Sequence, residues 1–324
     1  MAAAERVRSA ACRLARRLTW RGLLLVALLV WAAQQALLLF PGETLRDRLL
    51  YRVAVIREPS GVIITKKASQ LPDSAFSEEQ KATLRTVFQW ATTPTTRCVR
   101  QSTFGGQPYL SSQIETHILE GDRPVCFDAG FSIADPTRPC VVYSFGIKDD
   151  WSFDDAMARF GCEVHAFDPS IGAAPERRPS GVRFHPVGIG RNDHVNVYGW
   201  RIRTLDTVVR ELGHAQRPRL SYLKVDGEGA EFDMLSQQLL DARGERALDK
   251  FDQIGMEVHF RKAPETEMEF YSRVANLTVR LRQRGWEVAE SVPNKIYNKW
   301  FHFPGLDKPA SHMFDMLLLR PQRV

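Results

Sequence analysis

The chain has 324 residues and an ordinary globular composition, with 44% hydrophobic and 25% charged residues, which excludes disordered, collagen-like and disulfide-knot proteins. Its formal net charge is +6, but six arginines and one glutamate among residues 1–21 account for most of that charge. The remainder of the chain is close to neutral, so we expect no nucleic-acid partner.

An uncharged apolar segment, residues 22–40, follows this basic tail directly. A helix of these 19 residues would extend about 28 Å, barely the thickness of a bilayer core. The arginines lie only on its N-terminal side, so the positive-inside rule leaves residues 1–21 in the cytoplasm and the body in the ER or Golgi lumen. We predict a single-pass signal anchor. A cleaved signal peptide, giving a secreted protein, and a mitochondrial address are the alternatives.

The chain after the anchor is predicted to contain a stem and one folded domain. Residues 41–75 mix charges, proline and glycine without sustained periodicity, which is typical of a stem. Residues 76–324 are predicted to form the domain, with a helical extension at its N-terminal side. The first helix is expected to begin after the capping residue Ser77 and to end before Pro94.

Beyond residue 125, short apolar runs alternate with helical patterns. Strands are predicted at residues 140–145, 162–167, 182–187, 220–225, 251–258, 286–292 and 313–319. Helices are predicted at residues 153–160, 204–212, 230–240 and 264–284. This alternation predicts a mostly parallel sheet flanked by helices, in which ligands bind beyond the carboxyl ends of the strands.

The body also contains four cysteines, Cys98, Cys126, Cys140 and Cys162. In an oxidising lumen they could pair, but buried thiols and one disulfide are equally compatible with the sequence, and the pairing cannot be read from it. No two of them lie close enough in sequence for a zinc site of the usual spacing, and we predict no metal.

Two residues at predicted strand ends suit a nucleoside ligand. Gly146 follows the first strand of the sheet, in a turn whose backbone N–H groups could meet a ligand. The G-x-G-x-x-G pattern is absent, which disfavours a nicotinamide or flavin cofactor. Asp168 ends the second strand 22 residues later, the spacing at which a carboxylate can accept hydrogen bonds from a ribose diol.

The fourth strand is followed by the acids Asp226, Glu228 and Glu231, with Gly227 and Gly229 between them. Three neighbouring carboxylates repel one another, unless a ligand, a cation or the start of a helix compensates their charge. This segment is therefore the strongest functional candidate in the chain.

Several segments resemble the FkbM-type (type 21) methyltransferases, and among them most closely the methyltransferase-like protein 24 group. The similar segments are YSFG at 143–146, WSFD at 151–154, GCEVHAFDP at 161–169, TLD at 204–206 and LKVDGEGAE at 223–231. The resemblance implies a class I, Rossmann-like fold with seven mostly parallel strands and S-adenosyl-L-methionine as the cofactor. It implies that Ser144 and Gly146 line the methionine side, Asp168 the ribose, and Asp226 the sulfonium.

Methyl transfer mainly requires alignment of the two reactants, and a hydroxyl acceptor also requires a base. We predict O-methyl transfer, with Glu228 or His259 as the catalytic base. The acceptor, a small molecule, glycan, lipid or protein, is not identified. Two alternatives remain. One is a non-catalytic protein that keeps the fold, and the other is a Golgi-type glycosyltransferase that would use Asp226 and Glu228 as an Asp-x-Glu motif.

Overall fold

The computed structural model describes residues 54–58, 61–111, 116–172, 174–241, 246–294 and 299–320. These described residues belong to one compact unit. The helices are α1 (Glu78–Thr92), α2 (Ser152–Phe160), α3 (Leu205–Glu211), α4 (Ala230–Ser236) and α5 (Pro264–Gln283). A π-helical turn, Gln237–Asp241, continues α4, and short 3-10 turns cover Asp73–Ala75, Ser132–Ala134 and Ala247–Lys250.

The strands are β1 (Ala54–Glu58), β2 (Gly61–Lys67), β3 (Gln101–Phe104), β4 (Gln107–Ser111), β5 (Thr116–Glu120), β6 (Arg123–Cys126), β7 (Val141–Phe145), β8 (Glu163–Phe167) and β9 (Arg183–His185). They continue with β10 (Gly188–Ile189), β11 (His194–Val195), β12 (Arg201–Arg203), β13 (Leu220–Val225), β14 (Phe251–His259), β15 (Glu287–Pro293), β16 (Lys299–His302), β17 (Ala310–Ser311) and β18 (Met313–Leu319).

The central sheet has seven strands in the order β15-β18-β14-β13-β7-β8-β9. Strand β18 pairs antiparallel with both neighbours, whereas the pairings from β14 to β9 are parallel. The predicted sheet of seven mostly parallel strands is therefore confirmed. The chain proceeds outward from β7 to β9 on one side and continues with β13 on the other, so the topological switch point lies between β7 and β13.

The two faces of the sheet have separate cores because side chains alternate along each strand. On β7, Tyr143 and Phe145 join the larger cluster, which packs against α1, α3, α4 and α5. Val142 points to the opposite face and joins the smaller cluster, which includes Phe153 and Met157 of α2.

The N-terminal part of the described chain contains the predicted helix α1 and several strands, which the sequence analysis did not predict. Helix α1 begins as predicted, because the Ser77 hydroxyl accepts from the N–H of Gln80 and the Gln80 side chain accepts from the N–H of Ser77. Strand β2 pairs antiparallel with β1 and parallel with β16. Part of the segment predicted as a stem is therefore built into a sheet, through β-branched residues at 62–65.

The predicted anchor at residues 22–40 and the basic tail lie outside the described residues. Within the described ranges, no helix is long and apolar enough to cross a bilayer.

All four body cysteines are paired, which the sequence left open. Cys98 bonds to Cys126, and Cys140 bonds to Cys162. Cys140 directly precedes β7 and Cys162 directly precedes β8, so the second disulfide joins the amino ends of two adjacent parallel strands. The expectation of thiols or a single disulfide is therefore corrected, because sequence spacing cannot show that these strand ends are neighbours.

Candidate active site

A cavity of about 470 Å³ opens at the carboxyl ends of β7, β8 and β13, at the switch point of the sheet. The predicted residues Gly146, Asp168, Asp226 and Glu228 all line it. Its other lining residues are Phe145, Lys148, Pro169, Ser170, Gly188, Ile189, Asn196, Trp200, Ile202, Gly227 and Ala230. Residues predicted from separate strand ends are therefore brought to one site.

Gly146 is required by the close approach of two strand ends. Its φ is +73°, and a Cβ at this position would lie 1.6 Å from the carbonyl oxygen of Asp226. The Gly146 N–H donates to the carbonyl of Phe167 at 2.9 Å, and the Asp226 N–H donates to the carbonyl of Phe145 at 3.1 Å. A side chain here would displace the backbone that follows β13.

Asp168 is 6% exposed, and its carboxylate is already partly engaged. Oδ2 accepts from the N–H of Lys148 at 2.7 Å. Oδ1 accepts from the Ser170 N–H at 2.8 Å and from the Ser170 hydroxyl at 2.5 Å. A carboxylate has about four acceptor positions, so about one remains for a ligand hydroxyl unless Ser170 moves.

Ser144, predicted to line the methionine side, is not among the cavity-lining residues. It is fully buried and lies beside the carboxyl group of Asp154, on the face opposite to Phe145. Burial, opposed mainly by the charge of Lys224, raises the pKa of Asp154 to about 7. The Lys224 ammonium also donates to the carbonyl of Gly146 at 3.0 Å. Because side chains alternate along β7, Ser144 points into the protein interior beside Asp154 and does not line the cavity.

Arg123, which the sequence analysis missed, supplies a buried cation to three carboxylates. Its guanidinium lies 3.1 Å from Asp226, 3.3 Å from Glu257 and 3.1 Å from Asp315, and the side chain is 3% exposed. Burial and the negative charges of Asp226 and Asp315 raise the pKa of Glu257 to about 9. The only sequence signal is an arginine at the start of a short strand, β6, whose other residues are Pro, Val and Cys.

His259, at the end of β14, is held by the buried carboxylate of Glu231. Oε1 of Glu231 accepts from the His259 N–H at 2.9 Å and lies 3.2 Å from the ring Nδ1. Its Oε2 accepts from the N–H of Gly229 at 2.8 Å, and the residue is 0% exposed. Glu231 thus fixes the ring and leaves Nε2 facing Glu228 and Glu257, at 3.5 and 3.6 Å.

The charges around His259 favour its protonated form. Burial alone would lower the pKa of His259, but the hydrogen bond and charge of Glu231, with the charges of Glu257 and Asp226, raise it to about 9. Glu228 is different, because its side chain is 87% exposed and its φ is +52°. Of the two predicted bases, His259 is therefore the one that the surrounding structure holds in place.

Residues 89–297, more than half of the chain, match the family described as "Methyltransferase domain". The chain belongs to this methyltransferase family. It is 34% identical over 143 residues to probable methyltransferase-like protein 24 of Rattus norvegicus, covering 42% of this chain and 38% of that protein. It is also 34% identical over 143 residues to probable methyltransferase-like protein 24 of Homo sapiens, and this match covers 42% of this chain and 37% of that protein.

The predicted resemblance to methyltransferase-like protein 24 is thereby confirmed. The match spans less than two fifths of the length of either relative. The matched description does not name the FkbM type, which stays a prediction. The glycosyltransferase alternative is not supported, because the family differs and the Asp226 carboxylate is paired with Arg123.

Proposed function

We propose that this methyltransferase binds S-adenosyl-L-methionine in the cavity at the carboxyl ends of β7, β8 and β13, and that it transfers the methyl group to a hydroxyl of an unidentified acceptor. The observation that carries the proposal is the meeting of Gly146, Asp168 and Asp226 around one cavity at the switch point of the sheet. Such cavities are the usual ligand sites of open parallel sheets.

The residues of the cavity suit the cofactor chemically. The glycine at position 146 permits the left-handed turn and the close approach of the Asp226 backbone, which bring Gly146 and Asp226 together in the cavity lining. Asp168 keeps acceptor capacity for a ribose hydroxyl, and Ile189, Trp200 and Ile202 provide apolar lining for a purine ring. Asp226 lines the same cavity, and the negative charge of its carboxylate would attract the positively charged sulfonium.

When bound, the cofactor supplies an electrophilic methyl group on a sulfonium. A hydroxyl acceptor would have to lose its proton as it takes up that methyl group, and Nε2 of His259, which lies 3.5 Å from the cavity-lining Glu228, would accept the proton. Glu231 holds Nδ1 and stabilises the imidazolium that results. His259 must first lose its own proton, so the rate is expected to rise as the pH approaches about 9, the pKa of His259.

We also propose that residues 22–40 anchor the protein, with residues 1–21 in the cytoplasm, the stem and domain in the secretory lumen, and a lumenal glycan, lipid, protein or small molecule as acceptor. The two disulfides support this, because such bonds persist in oxidising compartments. Protease treatment of sealed microsomes tests it. A body that resists digestion until detergent is added is expected, whereas complete digestion without detergent contradicts a lumenal body.

The cofactor proposal is tested by calorimetric titration of the purified protein with S-adenosylhomocysteine. Asp168→Asn should lower the affinity by about 10- to 100-fold, as expected for a charge-assisted hydrogen bond. Asp149→Asn, an exposed acid beside the same turn, is the control and should bind like the wild type. A folded Asp168→Asn variant with unchanged affinity would exclude Asp168 from the site.

A further inference from the structure

A second cluster of polar side chains lies on the sheet away from the cavity. It contains Glu163 and His165, both on β8, and His214, which lies between α3 and β13. The ligand atoms of these three residues all lie within 4.8 Å of one another. Nε2 of His165 is 3.2 Å from Oε1 of Glu163, and Nε2 of His214 is 3.8 Å from the same oxygen.

Each histidine has a partner on its other ring nitrogen. Nδ1 of His165 lies 3.0 Å from Nε2 of His185, and Nδ1 of His214 lies 2.8 Å from the hydroxyl of Tyr143. These contacts direct both Nε2 atoms toward Glu163. Metal-binding histidines usually have such a partner, because it fixes the tautomer and the orientation of the ring.

Both histidines are buried, with exposures of 1% for His165 and 5% for His214. The side chain of Glu163 is 27% exposed, so solvent can reach the cluster.

We propose that Glu163, His165 and His214 form a binding site for a divalent zinc ion, with a water molecule as the fourth ligand. Two imidazoles and one carboxylate are an established zinc ligand set. Zinc bonds of about 2.0–2.1 Å at tetrahedral angles place ligand atoms about 3.3 Å apart. The separations of 3.2 and 3.8 Å from Oε1 of Glu163 are close to that value.

Two guanidinium groups also contact Glu163, and they bear on which oxygen binds the ion. Arg217 donates to Oε2 at 3.0 Å, which leaves Oε1 for the ion. Arg183 donates to Oε1 at 2.8 Å, but its side chain is 48% exposed and can turn away into solvent. The ion would join β8 to the connection between α3 and β13, so it would stabilise the sheet without taking part in methyl transfer.

The test is zinc uptake by the purified full-length protein after metal removal, measured by mass spectrometry of bound metal and by thermal unfolding. One zinc ion per chain and a rise in unfolding temperature are expected for the wild type. His214→Asn should abolish both the uptake and the rise in unfolding temperature, because asparagine has no counterpart of Nε2. Asparagine is chosen because its side chain can still reach the Tyr143 hydroxyl, which preserves that contact. His194→Asn, at an exposed histidine outside the cluster, should behave like the wild type.

Glu163→Gln is the second variant, in case His214→Asn does not fold, and it should also lose the zinc. Absence of uptake by the wild type at micromolar zinc would overturn the proposal. Equal uptake by wild type and a folded His214→Asn or Glu163→Gln would do the same. So would zinc that is lost only in Glu257→Gln, because Glu257 belongs with Asp226 and His259 to another group of potential metal ligands. Binding of S-adenosylhomocysteine, measured in parallel, reports on the proposed function independently of the zinc result.

Discussion

The pairing of Glu231 with His259 predicts a sharp contrast between two glutamates that contact the same ring. Glu231 is fully buried and lies 3.2 Å from Nδ1, whereas Glu228 is 87% exposed and lies 3.5 Å from Nε2. The substitution of either by glutamine removes one negative charge and keeps the size of the side chain. Only the substitution at the buried position, Glu231, should have a large effect on the unfolding free energy and on the pKa of His259.

The expected magnitude follows from the hydrogen bonds of Glu231. Its two oxygens accept separately from the backbone N–H groups of Gly229 and His259. Glutamine has one oxygen and one NH₂ group, so one of these buried donors would face another donor. The loss of one charge-assisted hydrogen bond costs about 1.5–3 kcal/mol of unfolding free energy, and the pKa of His259 should fall as well.

Urea denaturation and NMR titration of the His259 ring measure these two effects. Glu231→Gln should shift both the unfolding free energy and the pKa of His259 downward, while Glu228→Gln should leave the unfolding free energy unchanged within error. Equal stability of the two variants, or an unchanged His259 pKa in Glu231→Gln, would refute the assignment of Glu231 as the residue that positions the ring.

Three further predictions concern the turn, the pH dependence and the disulfides. Gly146→Ala should cost about 1–2 kcal/mol from the left-handed backbone alone and abolish S-adenosylhomocysteine binding, whereas Gly172→Ala, with nothing within 4 Å of the added Cβ, should change neither. Burial lowers the pKa of His259, but the hydrogen bond and charges of the surrounding acids outweigh it and raise the pKa from 6.5 to about 9. The resulting stabilisation is complete below about pH 6.5 and is lost as the pH rises to about 9; equal urea stability at both pH values would contradict this. Replacement of Cys140 and Cys162 by serine opens a loop with a separation of 22 residues and should cost about 3 kcal/mol in the same assay, a result that an unchanged unfolding free energy would disprove.

The sequence predicted those parts of the site that depend on strand ends. Gly146, Asp168 and Asp226 each follow an apolar run, and parallel strands bring their carboxyl ends to one edge, so the cavity could be anticipated. Ser144 was misplaced because the family pattern gives its position along the strand but not the face to which it points. Alternation along β7 places it in the core instead.

The rest depended on contacts between distant parts of the chain. Arg123 reaches Asp226 across 103 positions, and Glu231 reaches His259 across 28. The disulfide pairing likewise depends on which strands are neighbours. No local sequence pattern shows which residues so far apart in the chain are in contact, so these partners could be found only from the structure.

The most direct test of the central claim is ultraviolet cross-linking of methyl-labelled S-adenosyl-L-methionine to the purified protein, followed by peptide mapping. Label that is displaced by S-adenosylhomocysteine and lies on peptides containing Gly146, Asp168, Trp200 or Asp226 is the predicted result. Label that cannot be displaced, or that maps only to peptides remote from the ends of β7, β8 and β13, would contradict the proposed site.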